Sequence, residues 1–134
     1  MIEEFKFETF KNDVYALTDT IEQAIAKSGI KEGMCVVHIP HTTAGICITS
    51  KWDETDFADI KSEMRRIVPT RIDFYHQFDT PEDAAGHIKS ILIGCTLQII
   101  IKEGKALLGS SQGIYFLEFD GPRSRMCYVK VYEC

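Results

Sequence analysis

The sequence predicts an α+β fold: one domain of about seven strands with two or three helices. Two observations carry this. At 134 residues the chain suits one domain, and one core of that size is self-supporting. Strand-like runs outnumber helical ones and do not alternate with them strictly, which argues against a doubly wound parallel sheet.

The elements follow in order. Residues 3–10 alternate, with Phe5, Phe7 and Thr9 set against Lys6 and Glu8, and predict an opening strand. Residues 18–28 carry Ile21, Ala24 and Ile25 at helical spacing, with Thr18 or Thr20 as the N-cap and Gly29 just past the end. Residues 34–39 form a β-rich run halted by Pro40, and residues 45–49 a second. Residues 53–67 predict another helix, with Phe57, Ile60, Met64 and Ile67 on one face, Asp53 or Thr55 as its cap, and Pro69 as its stop. Residues 70–85 are polar and aromatic without periodicity and predict a long loop, a class of segment that often carries function. Residues 87–94 read as a short helix or an irregular turn. The remainder is β: runs at 96–101, 106–108, 113–119 and 126–132, with Glu103-Gly104 as a tight turn and Asp120-Gly121-Pro122 as turn chemistry.

Composition narrows the function classes. Net charge is −5, and the basic residues are scattered apart from Arg65-Arg66 and Arg123-Ser124-Arg125, so the chain lacks a phosphate-tracking stripe and no nucleic acid is expected as a partner. No apolar run approaches the roughly 20 residues that span a membrane. The N-terminus Met1-Ile2-Glu3-Glu4-Phe5 is acidic, unlike a signal peptide. A soluble cytoplasmic protein with no membrane association is the expectation. The cysteines, Cys35, Cys47, Cys95, Cys127 and Cys134, form no C-x-x-C pair and are expected as free thiols, the first four packing as small hydrophobes.

Of four histidines, His41, His76 and His87 stand where chemistry could use them, and imidazole is the commonest metal ligand. They are far apart in sequence, so spacing alone equally allows a turn contact for His41, a solvated loop residue at His76 and a helix cap at His87. His38 alternates with Val36 and reads as an ordinary strand histidine. The stretch Gly109-Ser110-Ser111-Gln112-Gly113 either presents backbone amides to a ligand or simply connects strands. Glu118-Phe119-Asp120-Gly121-Pro122-Arg123-Ser124-Arg125 sets acids and arginines around one turn, for anion recognition or for internal ion pairs.

The runs His41-Thr42-Thr43-Ala44-Gly45-Ile46, Tyr75-His76, His87-Ile88-Lys89, Leu108-Gly109, Gln112-Gly113-Ile114 and Glu118 through Arg125 resemble, in order, the YjbQ-like family. The resemblance covers most of the chain from Gly33 onward. It implies mostly antiparallel strands in a sandwich-like core, a homotrimer, and a cleft near subunit boundaries where His41, His76 and His87 hold a divalent metal, zinc. Some members are described as thiamine-phosphate synthases, which join a pyrimidine diphosphate to a thiazole phosphate and release pyrophosphate.

The sequence departs from the family pattern at three places. Ser50 stands where the family has a carboxylate, with Lys51 beside it; Ala85 stands where aspartate is usual, with Asp83 displaced by two; Ser111 replaces a tryptophan. Carboxylates orient ligating histidines or act as bases. Two main function classes follow. In one, an enzyme acts on a small phosphorylated molecule, with Lys89, Arg123 and Arg125 neutralising phosphate charge and Gln112 orienting the substrate. In the other, a non-catalytic protein binds a metal or small ligand. A purely structural module is a third.

Overall fold

The computed structural model describes residues 2–10 and 12–134. In chain order they form β1 (Ile2–Thr9), β2 (Val14–Ala16), α1 (Thr18–Ser28), β3 (Glu32–His38), β4 (Ala44–Ser50), α2 (Ala58–Ile67), α3 (Pro81–Ile93), β5 (Thr96–Lys102), β6 (Lys105–Ala106), β7 (Gln112–Glu118) and β8 (Arg123–Glu133). The architecture is α+β, with strands paired antiparallel in two sheets of order β1-β8-β3-β5-β6 and β2-β7-β4. Of the described helices, none is long and apolar enough to cross a membrane.

Strand alternation builds the core. In β3, Cys35 and Val37 turn inward; in β5, Ile99 and Ile101; in β8, Cys127 and Val129. They meet Ile46 of β4, Ile114 and Phe116 of β7, and the Ile21–Ala24–Ile25 face of α1 in one apolar cluster. The strongly β-forming runs thus pay the entropy of ordering through burial on a shared interior. Burial raises the thiol pKa of Cys35 to about 11, as does the charge of Glu22 to a lesser degree, and that of Cys127 to about 12, so both behave as packing residues.

Several boundaries differ from expectation for local reasons. α1 starts after Leu17, because the Thr18 hydroxyl accepts the Ile114 N–H at 2.9 Å instead of capping the helix. Its C-terminal end is as expected: Gly29, at φ 73°, sends its N–H back to Ala26. Glu103 and Gly104 both have positive φ and close the two-residue β5–β6 hairpin. α2 begins at Ala58, because Asp53 bonds the Thr55 amide and hydroxyl in a local turn, and Phe57 sits at φ 59°. The largest correction concerns α3. It runs from Pro81, so the second part of the expected loop is helix. Thr80 caps it by accepting the Asp83 N–H at 3.1 Å, Pro81 takes the first turn, and Glu82 and Asp83 face its positive end.

Candidate functional site

The site is built on the first turns of α3. With Thr80 as N-cap, Asp83 and His87 stand four residues apart and share one helix face. The preceding segment turns back over this face because Phe74 is buried with Val68, Ala84 and Ala85. That docking carries His76 onto His87, with ring centroids 5.0 Å apart and planes at 85°. Both imidazoles then aim Nε2 at the same oxygen, Asp83 Oδ2, each at 3.2 Å. One donor atom from each of His76, Asp83 and His87 lies within 4.8 Å of the others.

Helix α3 is held to the sheet by small contacts. Ser90 donates to the Ala44 carbonyl at 2.6 Å, and Gly94 accepts the Ile46 N–H at 3.0 Å. Gly86 permits the close approach: a Cβ there would meet the Phe119 carbonyl oxygen at 3.1 Å and Thr43 at 3.3 Å. The same approach lets His87 Nδ1 donate to the Thr42 carbonyl at 3.1 Å. In a neutral ring that bond fixes the tautomer and leaves the Nε2 lone pair facing the carboxylate.

Asp83 is almost enclosed, its side chain 5 % exposed. Burial alone would push its carboxyl up, but hydrogen bonds with Asp120, His76 and His87 outweigh it and hold the carboxyl below its ordinary value. Asp120 moves the other way: burial and the shared hydrogen bond with Asp83 raise it against the opposing pull of Arg123. Arg123 bridges the pair, with Nη2 2.5 Å from Asp120 Oδ2 and 3.6 Å from Asp83 Oδ1. Beside it opens a cavity of about 470 Å³, lined by Thr70, Asp79, Glu82, Asp120 and Arg123 among others.

The fold assembles only some of the residues singled out in the sequence. His76, His87 and Arg123 come together; His41 does not join this group. Its Nε2 accepts the Met126 N–H at 2.9 Å, so in the neutral ring Nδ1 carries the proton and no lone pair is left for an ion. Burial, with the charge of Arg125, holds His41 below the usual histidine value. Arg125 is also corrected, from anion binding to scaffold. Its guanidinium is 4 % exposed and its fork is filled by Glu118 and by the Thr43 hydroxyl and carbonyl. Glu118 accepts from the Thr9 hydroxyl as well, tying β1, β7 and β8 together.

Gln112 lies at the far end of β7. It pairs with Ser50, whereas the site lies near the Ala44–Glu118 end of the same ladder, roughly 20 Å away at 3.3 Å per residue. Its side chain closes its own turn on the Gly109 amide at 2.7 Å, the connector reading of that glycine-flanked stretch. Ser50 is equally remote within the chain from this histidine pair. Lys89, two residues beyond His87, points away from the cluster into another cavity. The departure at Ala85 also changes meaning. Two residues before His87 is the inward helix face, where Ala85 is fully buried, while four residues before it Asp83 provides the carboxylate. Asp83 and Asp120 are the members of this cluster that the sequence reading did not single out as site residues. The cap signature Thr80-Pro81-Glu82-Asp83 could have placed the first. His38, as expected, makes only a surface contact, Nδ1 to the Thr96 hydroxyl at 2.7 Å.

An α+β sandwich-like core carrying two histidines and a carboxylate around one point defines a class of small proteins with a His/Asp/His group. The comparisons fix the family: residues 3–134 match the model described as UPF0047 protein YjbQ-like, and the chain belongs to that family. A UPF0047 protein of Methanocaldococcus jannaschii is 43% identical over 98% of this chain and 94% of its own. The UPF0047 protein YugU of Bacillus subtilis is 36% identical over 98% of both. A Clostridium acetobutylicum crystal structure of an uncharacterized conserved protein of the YjbQ/UPF0047 family superposes at TM-score 0.90, with 39% identity over 97% of this chain and 99% of that one.

Proposed function

We propose that this protein binds a divalent metal, zinc, through His76, Asp83 and His87, and presents it to a cleft that takes a small phosphorylated molecule. One observation carries the reading: two Nε2 atoms converge on a single carboxylate oxygen while His87 Nδ1 is already committed to the Thr42 carbonyl. With its Nδ1 donating to Thr42, a neutral His87 turns an acceptor lone pair on the Asp83 oxygen at 3.2 Å, a contact relieved by a proton or by a metal cation between them. The spacing suits a metal, because donors on a tetrahedral zinc with bonds of about 2.0–2.1 Å lie about 3.3–3.4 Å apart. Two histidines and one carboxylate also form the donor set of non-haem Fe(II), so the metal itself is part of the test.

The cleft supplies the rest. Its cavity volume falls in the range of small-molecule sites. Arg123 is the cation on its wall, and its fork suits a phosphate. Asp79, Glu82 and Asp120 line the same wall, so a phosphate alone meets net negative charge. Binding of a phosphorylated ligand is therefore expected to depend on the metal. A bound divalent ion would supply charge neutralisation and Lewis-acid polarisation; the chain's own part is to hold the ligand with Arg123. The thiamine-phosphate synthase reaction implied by the resemblance is the concrete enzymatic form of this reading, and simple metal-dependent ligand binding is the alternative.

The test is elemental analysis of untagged protein beside His76→Ala, Asp83→Asn, His87→Ala and His41→Ala. One metal per chain is expected in the wild type, lost in the first three and retained in His41→Ala. Loss in His41→Ala would restore a three-histidine arrangement. No metal in any sample after zinc reconstitution would overturn the site. With metal loaded, turnover of a panel of phosphorylated substrates by wild type but not Arg123→Met separates an enzyme from a binding protein.

A further inference from the structure

Lys89 is 2 % exposed, an unusual degree of burial for a lysine. Among the described residues it has no hydrogen-bond or ion-pair partner, and its Nζ lies 5.8 Å from the centroid of the Phe119 ring. No fully enclosed side-chain nitrogen or oxygen among those residues lacks a partner, so the ammonium keeps an opening. That opening is a cavity between α2, α3 and the end of β7, which Lys89 lines. The cavity shares no lining residue with the cleft beside Arg123.

Its chemistry is amphipathic. Ile60, Met64 and Phe119 give apolar walls, and Arg65 brings a second cation. The lining acids are already engaged: Asp13 with Lys61 at 3.2 Å, and Glu118 with Arg125. A desolvated ammonium without a counter-ion is costly, and a site built this way gains most from an anion that enters it.

We propose that this cavity is a second binding site, for a small carboxylate with an apolar body whose charged head meets Lys89 and Arg65. The cavity is small, about 20 Å³, which suits a carboxylate head better than a hydrated phosphate. Asn12, the neutral polar residue on the wall, already donates to Glu82, so anion recognition falls to the cationic side chains. Helix α2 forms the outer wall: none of its residues is buried, and its sheet-facing Ile60 and Met64 line the cavity, where they give the apolar body its contact.

The test is calorimetric titration of the full-length protein with sodium butyrate, with inorganic phosphate and sodium chloride at matched ionic strength as comparisons. Saturable butyrate binding is expected, stronger than either comparison. Lys89→Met weakens it about tenfold or more, the scale of a charge-assisted contact, and the exposed Arg65→Gln about threefold. Asp83→Asn leaves it unchanged, which separates this site from the metal group. The proposal is overturned if butyrate behaves as sodium chloride does, if phosphate binds as well as butyrate, or if Lys89→Met and Arg65→Gln both bind like the wild type.

Discussion

His41 shows how one hydrogen bond decides a residue's role. It stands beside a Pro-terminated strand, in a run that matches a family motif, and the side chain type suits a metal. Only the fold reveals that β8 reaches it with the Met126 amide and consumes its lone pair. The depressed pKa that follows from burial and Arg125 gives a test independent of metal. A histidine that resists protonation in the folded state binds fewer protons than in the unfolded chain. Its contribution to stability is present above the unfolded value of about 6.5 and is lost as pH falls below it. His41→Gln can still accept the Met126 N–H but takes up no proton. Its urea-denaturation stability is expected to fall less steeply than the wild type's between about pH 6.5 and 5; parallel curves would refute the assignment. The carboxylate is the complementary case. Reading sequence offset alone put the expected acid at Ala85, whereas helical periodicity gives that position to the core and Asp83 to the site.

At the scale of elements, the β framework was legible and the helical segment that carries the site was not. Alternation in β1 and the β-branched runs of β3 and β5 mark strands, and β7 shows as a continuous run buried on both faces. β2, three residues long, is too short to leave one. α3 hides for another reason: Gly86 and the small residues Ala84, Ala85 and Ser90 interrupt the usual apolar stripe, since this helix packs close to a sheet edge and needs little side-chain bulk. That reading yields a prediction. Gly86→Leu has no room against the Phe119 carbonyl and Thr43, so it should cost about 1–3 kcal/mol in urea denaturation despite better helix propensity. By lifting His87 from the Thr42 carbonyl it should also weaken zinc binding, read by competition with a chromogenic chelator. An unchanged denaturation midpoint would show that α3 is less tightly seated than described.

For the whole molecule, the surface around α3 sets the expectation. Ile72, Tyr75 and Phe78 of the segment before the helix and Ile91 of the helix itself are between 82% and 107% exposed, and Leu92 is more than half exposed. Scattered apolar residues need no explanation, but these come from one segment and the helix it docks on, beside the histidine group. Water contact along such a surface is relieved by association, and closed symmetric assembly is the common solution for a single chain type. The homotrimer implied by the family resemblance would use this surface and would place the His/Asp/His group near a boundary between copies. Light scattering at micromolar concentration should then give three times the chain mass. Phe78→Glu with Ile91→Glu, both on exposed positions, should shift it to the monomer while leaving the circular-dichroism spectrum intact. If the monomer still binds zinc with wild-type affinity, all ligands come from one chain, as the Asp83-centred geometry requires; if affinity falls with assembly, a neighbouring copy completes the site. A wild-type monomer would remove the trimer and leave the exposed apolar residues to a different partner.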